Sequence, residues 1–293
     1  MDVLRDPHRI EIDTPRGQFS ALRWPGDGRP LVFCHATGFN AETYRQLLGQ
    51  LNTTRPIVAP DARGHGLSRA TADPSALRSW TPFEEDLKAI INVLGGTVDL
   101  AGHSLGSIVG MRVAAECPEL VHALTMIEPV LPPPKWIVPI QAMRALGLHG
   151  RLFPLVTKTR RRRATWPSKK AILEGYSGRG AFATWDDSWI ADYVAGGTHR
   201  TWSGEVRLTC EPAWEAQTFQ TTPYNSWGHL GRVRCPLTIL YGVSSHTFPK
   251  GSALEAKRRL PEAHIQCFEP ASHFLPMERP AEIAALLAQP LTR

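Results

Sequence analysis

Gly102-His103-Ser104-Leu105-Gly106 lies between a run with strand character, Thr97 to Ala101, and one with helix character, Ser107 to Ala115. A G-x-S-x-G pentapeptide in that setting predicts a nucleophile elbow. Its glycines let the backbone turn sharply enough to push the Ser104 hydroxyl into a cleft. The following helix aims its free amides and the positive end of its dipole at the same point, so the Leu105 amide is placed to hold a developing oxyanion. A Gly/Ser turn without chemistry is the competing reading, and the strand running in and the helix running out argue against it.

Outward from the elbow the chain keeps a strand, turn, helix rhythm. Leu31 to Cys34, Ile57 to Ala59, Val98 to Ala101 and Leu124 to Ile127 are short and apolar throughout, the pattern of strands covered on both faces. Between them Phe83 to Leu94 carries Leu87, Ile90, Ile91 and Leu94 on one side, as a helix packed on a sheet does. This is parallel α/β construction. Arg9 to Asp13 and Gln18 to Arg23, joined through Thr14-Pro15-Arg16-Gly17, predict an antiparallel hairpin at the sheet edge.

The rhythm stops at Pro132-Pro133-Pro134 and returns at Pro236, where Leu237 to Tyr241 and His264 to Phe268 predict the last two strands. The intervening segment predicts helices over Trp136 to Leu148, Lys169 to Tyr176 and Trp189 to Ala195, with no clean strand alternation. It holds Trp136, Trp166, Trp185, Trp189, Trp202, Trp214 and Trp227 out of the chain's 9 tryptophans, a density that predicts several rings facing an apolar cavity. Lys158 and Arg160 to Arg163 form a basic run that reads as a solvated helix face, with a binding patch for an anion or polyanion as the competing reading, and accounts for much of the net charge of +6. No helix-turn-helix, zinc-finger or RNA-binding signature accompanies it, so no nucleic-acid partner is expected.

With 42% hydrophobic and 20% charged residues the chain has the composition of a folded domain. No apolar run reaches membrane-spanning length, and Met1 to Arg9 lacks the apolar core of a leader, which together predict a cytoplasmic protein. Cys34, Cys117, Cys210, Cys235 and Cys267 are scattered and read as reduced, mostly buried thiols, with no zinc spacing. Neither a metal nor an organic cofactor is expected.

The chain resembles the α/β-hydrolase superfamily, in its lidded serine hydrolase and esterase branch. Several motifs in the expected order carry the resemblance. Besides the elbow, Phe33-Cys34-His35-Ala36-Thr37-Gly38-Phe39-Asn40 looks like the His-Gly-x-Pro type oxyanion loop with two extra residues, and Asp61-Ala62-Arg63-Gly64-His65-Gly66-Leu67-Ser68 matches the D-x-R-G-x-G-x-S loop. Ala271-Ser272-His273-Phe274-Leu275-Pro276-Met277-Glu278-Arg279-Pro280 resembles the family's histidine loop. The resemblance implies a mostly parallel eight-stranded sheet flanked by helices, with a helical cap inserted after strand six. Residues 1–130 and 233–293 would form the core and 131–232 the cap.

By the same resemblance Ser104 is the nucleophile, His273 the general base, and the amides of Phe39 and Leu105 the oxyanion hole, with Thr37 as the alternative donor to Phe39. The D-x-R-G-x-G-x-S loop would brace the elbow through its glycines and its Asp and Arg, His65 is a minor candidate for substrate contact, and His103 is expected to be a packed residue. The acid departs from the usual pattern. Family members carry an aspartate three residues beyond the glycine after strand seven, where this chain has Ser245, and no carboxylate occurs between Gly242 and Ala253. A serine cannot hold the charge that steadies an imidazolium. The family's second placement lies just after strand six, and Glu128 occupies it; the competing reading makes Glu128 a loop brace beside a Ser-His dyad.

The expected reaction is hydrolysis of a carboxylic ester or lactone of an apolar small molecule. C–C bond hydrolysis, or another Ser-His-dependent reaction on the same fold, is the alternative, and a small-molecule binding protein without turnover is a third. Fold alone does not separate them.

Overall fold

In the computed structural model, which describes residues 6–148 and 154–289, the apolar runs become one eight-stranded sheet. The leader reading of Met1 to Arg9 falls mainly outside the described residues. In chain order the strands are β1 (His8–Thr14), β2 (Gly17–Trp24), β3 (Leu31–Cys34), β4 (Ile57–Pro60), β5 (Val98–His103) and β6 (Val121–Ile127). After the inserted segment come the last two strands of this sheet, Leu237–Gly242 and His264–Phe268. The segment itself adds β7 (Thr165–Trp166), β8 (Thr198–Arg200) and β9 (Val206–Leu208), so the last two are β10 and β11. The spatial order is β1-β2-β4-β3-β5-β6-β10-β11. β1 and β2 form the antiparallel edge hairpin, β2 runs antiparallel to β4, and every remaining pair is parallel.

Both faces of the sheet are covered because successive strand residues point opposite ways. In β3, Leu31 and Phe33 enter a core shared with the helices Arg45–Gly49 and Pro280–Ala288, whereas Val32 enters the core of Thr81–Val93 and Leu105–Glu116. β10 repeats the division, with Leu240 on the first side and Leu237, Ile239 and Tyr241 on the second. Each fully buried aliphatic side chain of this kind contributes about 1.5–3 kcal/mol.

Between β6 and β10 the chain folds as helices, chiefly Ile137–Ala145, Pro154–Arg160, Lys169–Tyr176, Asp187–Gly197 and Pro212–Gln220. They are tied to the core through Asn40, whose side-chain amide donates to the Tyr193 carbonyl (3.0 Å), and through Gln46, which donates to Asp192 (2.8 Å). One expectation fails here. The segment also contains a three-stranded antiparallel sheet, β7-β9-β8. Its strands are two or three residues long, too short for a period-two pattern to emerge from the sequence.

The cysteines are all free, as expected, but only Cys210 is buried, and Cys267 is exposed on β11.

Candidate active site

At the end of β5 the backbone of Ser104 takes φ 54° and ψ −107°, a strained conformation for a residue with a side chain, and the helix Leu105–Glu116 begins immediately after it. The flanking glycines are required by close approach. A Cβ at Gly102 would lie 2.3 Å from the Gly106 carbonyl carbon, and one at Gly106 would lie 2.1 Å from the Cys34 carbonyl oxygen. The elbow is pinned from below by the Ser104 amide donating to the Ile127 carbonyl (3.0 Å). Ser104 reaches a cavity of about 710 Å³ beneath the inserted helices, which His273 also lines. Among the described residues no hydrogen bond joins the Ser104 hydroxyl to the His273 ring. Contacts of this kind commonly tighten only when substrate is bound.

Glu128 follows β6 directly. It is fully buried and left-handed at φ 50°. Its carboxylate accepts from the Gly242 amide through Oε1 and from the Ser245 hydroxyl through Oε2 (2.5 Å). Oε2 also stands 3.3 Å from His273 Nδ1. Thr247 joins the cluster, its hydroxyl 3.0 Å from His273 Nδ1 and 3.4 Å from Glu128 Oε2. Ser245, at the position where the family resemblance implies an aspartate, donates to a carboxylate that comes from the end of the neighbouring strand. The Phe248 amide in turn donates to the Ser245 hydroxyl (3.0 Å) and fixes it.

The loop after β3 departs from expectation. The Phe39 amide closes a turn onto the Ala36 carbonyl (3.1 Å), and the Gly38 amide donates to His65 Nε2 (3.0 Å). Neither is free to meet an oxyanion. The Thr37 amide makes no hydrogen bond among the described residues, and Thr37 lines the cavity beside Ser104. The loop turns at Gly38, with φ +78°, so that the Phe39 amide closes back on the loop itself and the Gly38 amide meets His65 from the neighbouring loop. At the head of the helix Leu105–Glu116 the Leu105 amide is likewise without an acceptor among the described residues.

Three buried histidines hold these loops in place, all in neutral form. His35 Nε2 accepts from the Ala62 amide (2.8 Å), so its proton sits on Nδ1 and points to the Ala36 carbonyl (2.8 Å). Burial pushes its pKa down to about 4. His65 accepts from Gly38 and donates through Nδ1 to the Arg63 carbonyl (2.9 Å), with a pKa lowered to about 3, again chiefly by burial. It is a scaffold residue rather than a substrate contact. His103 accepts from the Tyr44 hydroxyl (2.6 Å) and donates to the His273 carbonyl (2.8 Å). Since the Tyr44 oxygen also accepts from the Ala36 amide (3.2 Å), one chain of bonds runs from the oxyanion loop to the histidine loop. The sequence offered no signal for that link beyond the presence of a histidine in the elbow.

Asp61 and Arg63 both brace the site, but not as a pair. Asp61 accepts from the Ala41 and Leu67 amides (2.7 and 2.9 Å) and pairs with Arg9 (3.0 Å), while Arg63 forks onto Asp86.

A family model described as the alpha/beta hydrolase family matches residues 31–286. The chain belongs to that family. Among curated relatives, an esterase of Mycobacterium tuberculosis is 33% identical over 115 residues, 38% of this chain and 37% of that protein. The (E)-2-((N-methylformamido)methylene)succinate hydrolase of Acinetobacter baylyi is 30% identical over 105 residues, 36% of this chain and 39% of that protein. These alignments span little more than a third of either relative. Among solved structures, an E-2-(acetamidomethylene)succinate hydrolase superposes with a TM-score of 0.76 at 20% identity, covering 95% of this chain and 96% of that one. A thioesterase domain from the curacin biosynthetic pathway gives 0.75 at 19% identity, with 97% and 99% coverage. At such identities the likeness shows the fold.

Within this alpha/beta hydrolase the tryptophans behave differently from expectation. No tryptophan of the inserted segment lines the cavity. Trp166, Trp185 and Trp189 pack in the core beneath the segment, Trp214 and Trp227 in the core on the other side, and Trp136 and Trp202 are exposed. The aromatic lining comes instead from Phe39, Trp80, Phe182, Tyr193, Phe219, Tyr224 and Phe274. Interior rings and cavity rings carry the same sequence signature, because both need apolar surroundings.

Nor is the basic run a uniformly solvated face. Arg162 turns inward and pairs with Glu215 (2.7 Å) while donating to the hydroxyls of Tyr176 and Tyr193 (2.9 and 3.2 Å). Glu215 is itself buried against the oxyanion loop, where a Cβ at Gly38 would meet its carboxylate at 2.3 Å. Burial raises the Glu215 pKa and Arg162 opposes that rise. No helix among the described residues is long and apolar enough to cross a membrane.

Proposed function

We propose that this alpha/beta hydrolase is a serine hydrolase that cleaves a carboxylic ester or lactone of a largely apolar small molecule through an acyl-enzyme. Ser104 Oγ attacks the carbonyl carbon while His273 takes the hydroxyl proton. The amides of Leu105 and Thr37, rather than that of Phe39, hold the oxyanion of the tetrahedral intermediate. Its collapse breaks the bond to the leaving group, which receives the proton from His273. A water molecule, deprotonated by His273, then releases the acid and restores Ser104. Glu128 orients the His273 ring with its proton on Nδ1 and stabilises the imidazolium in both halves.

The observation that carries the reading is the fully buried Glu128 carboxylate 3.3 Å from His273 Nδ1, behind a cavity that His273 lines together with a strained serine from the neighbouring strand. A protein that only bound its ligand would have no need of the strain or of the buried charge. Fluorophosphonate labelling beside hydrolysis of p-nitrophenyl esters tests it. Wild-type protein labels and turns over, whereas Ser104→Ala does neither and keeps its circular dichroism and melting profile. Labelling that persists in Ser104→Ala places the reactive serine elsewhere. Absence of labelling and turnover in the wild type leaves a binding protein.

A further inference from the structure

Apart from Ser104, a few threonines and the histidines His246 and His273, the cavity lining is mainly apolar or aromatic, and its lysine, arginine and carboxylate all come from the inserted segment. Lys158, Arg162 and Glu215 line it, two cations against one carboxylate. Lys158 belongs to the helix Pro154–Arg160, and Arg162 follows four residues later, just beyond its last turn. Glu215 engages Arg162 alone. No carboxylate among the described residues lies within ion-pair distance of the Lys158 ammonium.

Hydrogen-bond arithmetic points the same way. Arg162 has five N–H donors. One goes to Glu215 and two go to the hydroxyls of Tyr176 and Tyr193. Its Nε–H and one Nη1–H then have no acceptor among the described residues. The Tyr193 oxygen accepts from Arg162, so its own proton is a further donor on the cavity wall. Lys158, an exposed side chain at the cavity's margin, together with Arg162 and Tyr193 presents a surplus of donors and one positive charge without a carboxylate partner among the described residues to a largely apolar and neutral lining. Such a surplus matches a planar anion with several acceptor lone pairs.

We propose that Lys158, with Arg162 and Tyr193, forms an anion subsite, and that the substrate is an otherwise apolar ester carrying a carboxylate away from the scissile carbonyl. The subsite rests on the serine hydrolase reading only for its connection to turnover. The Arg162–Glu215 pair sets the guanidinium in place, and Lys158 supplies the charge that no protein group neutralises. Glu215 also limits the subsite, since without Arg162 its carboxylate would repel an anion.

Two probes of equal acyl length separate charge from size: mono-p-nitrophenyl adipate and p-nitrophenyl hexanoate. The wild type is expected to favour the adipate monoester in kcat/KM, and Lys158→Met to lower the adipate-to-hexanoate ratio by about tenfold or more, the effect of one charge-assisted contact. Arg160→Met, in the same basic run but off the cavity wall, is expected to leave the ratio unchanged. Calorimetric titration of adipate into Ser104→Ala protein, with and without Lys158→Met, reads the subsite without chemistry. Adipate binding that weakens with Lys158→Met supports the subsite even if neither ester turns over, an outcome that would remove the hydrolase reading alone. Ser104-dependent turnover with a ratio indifferent to Lys158→Met, and adipate binding equally indifferent, overturns the subsite and leaves the hydrolase reading standing.

Discussion

Two buried glutamates flank the cleft and are held in opposite ways. Glu215, from the inserted segment, is matched by a guanidinium at 2.7 Å. Glu128, from the end of β6, has no arginine or lysine partner among the described residues; its donors are an amide, two hydroxyls and an imidazole. A carboxylate already paired with a fixed cation gains little when another positive charge forms nearby. One held by neutral donors gains most when the imidazole beside it becomes charged. The contrast teaches that burial of an acid does not assign its role: the partners decide whether its charge is already balanced.

The largest effect should come from removing the unbalanced charge. Glu128→Gln keeps the shape but presents an amide that cannot accept from every donor now facing the carboxylate. The kcat for p-nitrophenyl ester hydrolysis is expected to fall about a thousandfold or more, as loss of a triad acid does elsewhere. Wild-type rates would reduce Glu128 to a loop brace and erase the contrast. Glu215→Gln should act first on stability. It leaves the partly buried Arg162 guanidinium without its counter-charge, a loss on the order of 2 kcal/mol. Urea denaturation reads it, and a variant as stable as wild type would show that solvent reaches the pair.

Acid probes a third kind of buried group. His35 and His65 have folded-state pKa values lowered to about 4 and about 3, so folding favours their neutral forms. The unfolded chain takes up these protons near the ordinary value of 6.5, earlier than the folded one. Their contribution is complete above 6.5 and is lost as the pH falls from there towards the folded values. Each group contributes a slope of about 1.4 kcal/mol per pH unit once the unfolded state is protonated. Urea midpoints measured from about pH 7 down to about pH 5 should fall, less steeply in His65→Gln than in wild type. An identical slope in the variant would mean that His65 is not held neutral by the fold.

How much of this was legible follows from the range of the interactions. The strands of the large sheet are apolar on both faces and announce themselves locally; Ser104, Glu128 and His273 each follow a strand end, so their convergence on one cleft could be read from order and motif. What escaped depends on distant partners. Arg162 sits in a run of cations, and it is Glu215, 53 residues away, with the hydroxyls of Tyr176 and Tyr193, that holds it inward. Nothing local separates Trp189, packed in the interior, from Phe182, packed in the same core and also lining the cavity. In the oxyanion loop the two added residues were visible, but not that their turn would occupy the Phe39 amide, that His65 would take the Gly38 amide, and that the Thr37 amide would be left.

Ser245 sharpens the contrast between the glutamates on the smallest scale. Its hydroxyl donates to Glu128 Oε2 at 2.5 Å, the same oxygen that faces His273 Nδ1. A neutral donor on that oxygen fixes its direction, so the serine positions the acid without balancing its charge. Ser245→Ala should therefore cost about 1 kcal/mol or a little more, a several-fold loss in kcat with little change in KM. Ser245→Asp makes the opposite move, setting a second carboxylate against Glu128. Two carboxyl groups so close cannot both ionise readily, and one would hold a proton. The kcat of that variant should rise with pH across a range where the wild type is flat. If Ser245→Asp instead matches the wild-type profile and also rescues Glu128→Gln, the charge can sit on either strand, and what matters is a single unbalanced carboxylate beneath His273.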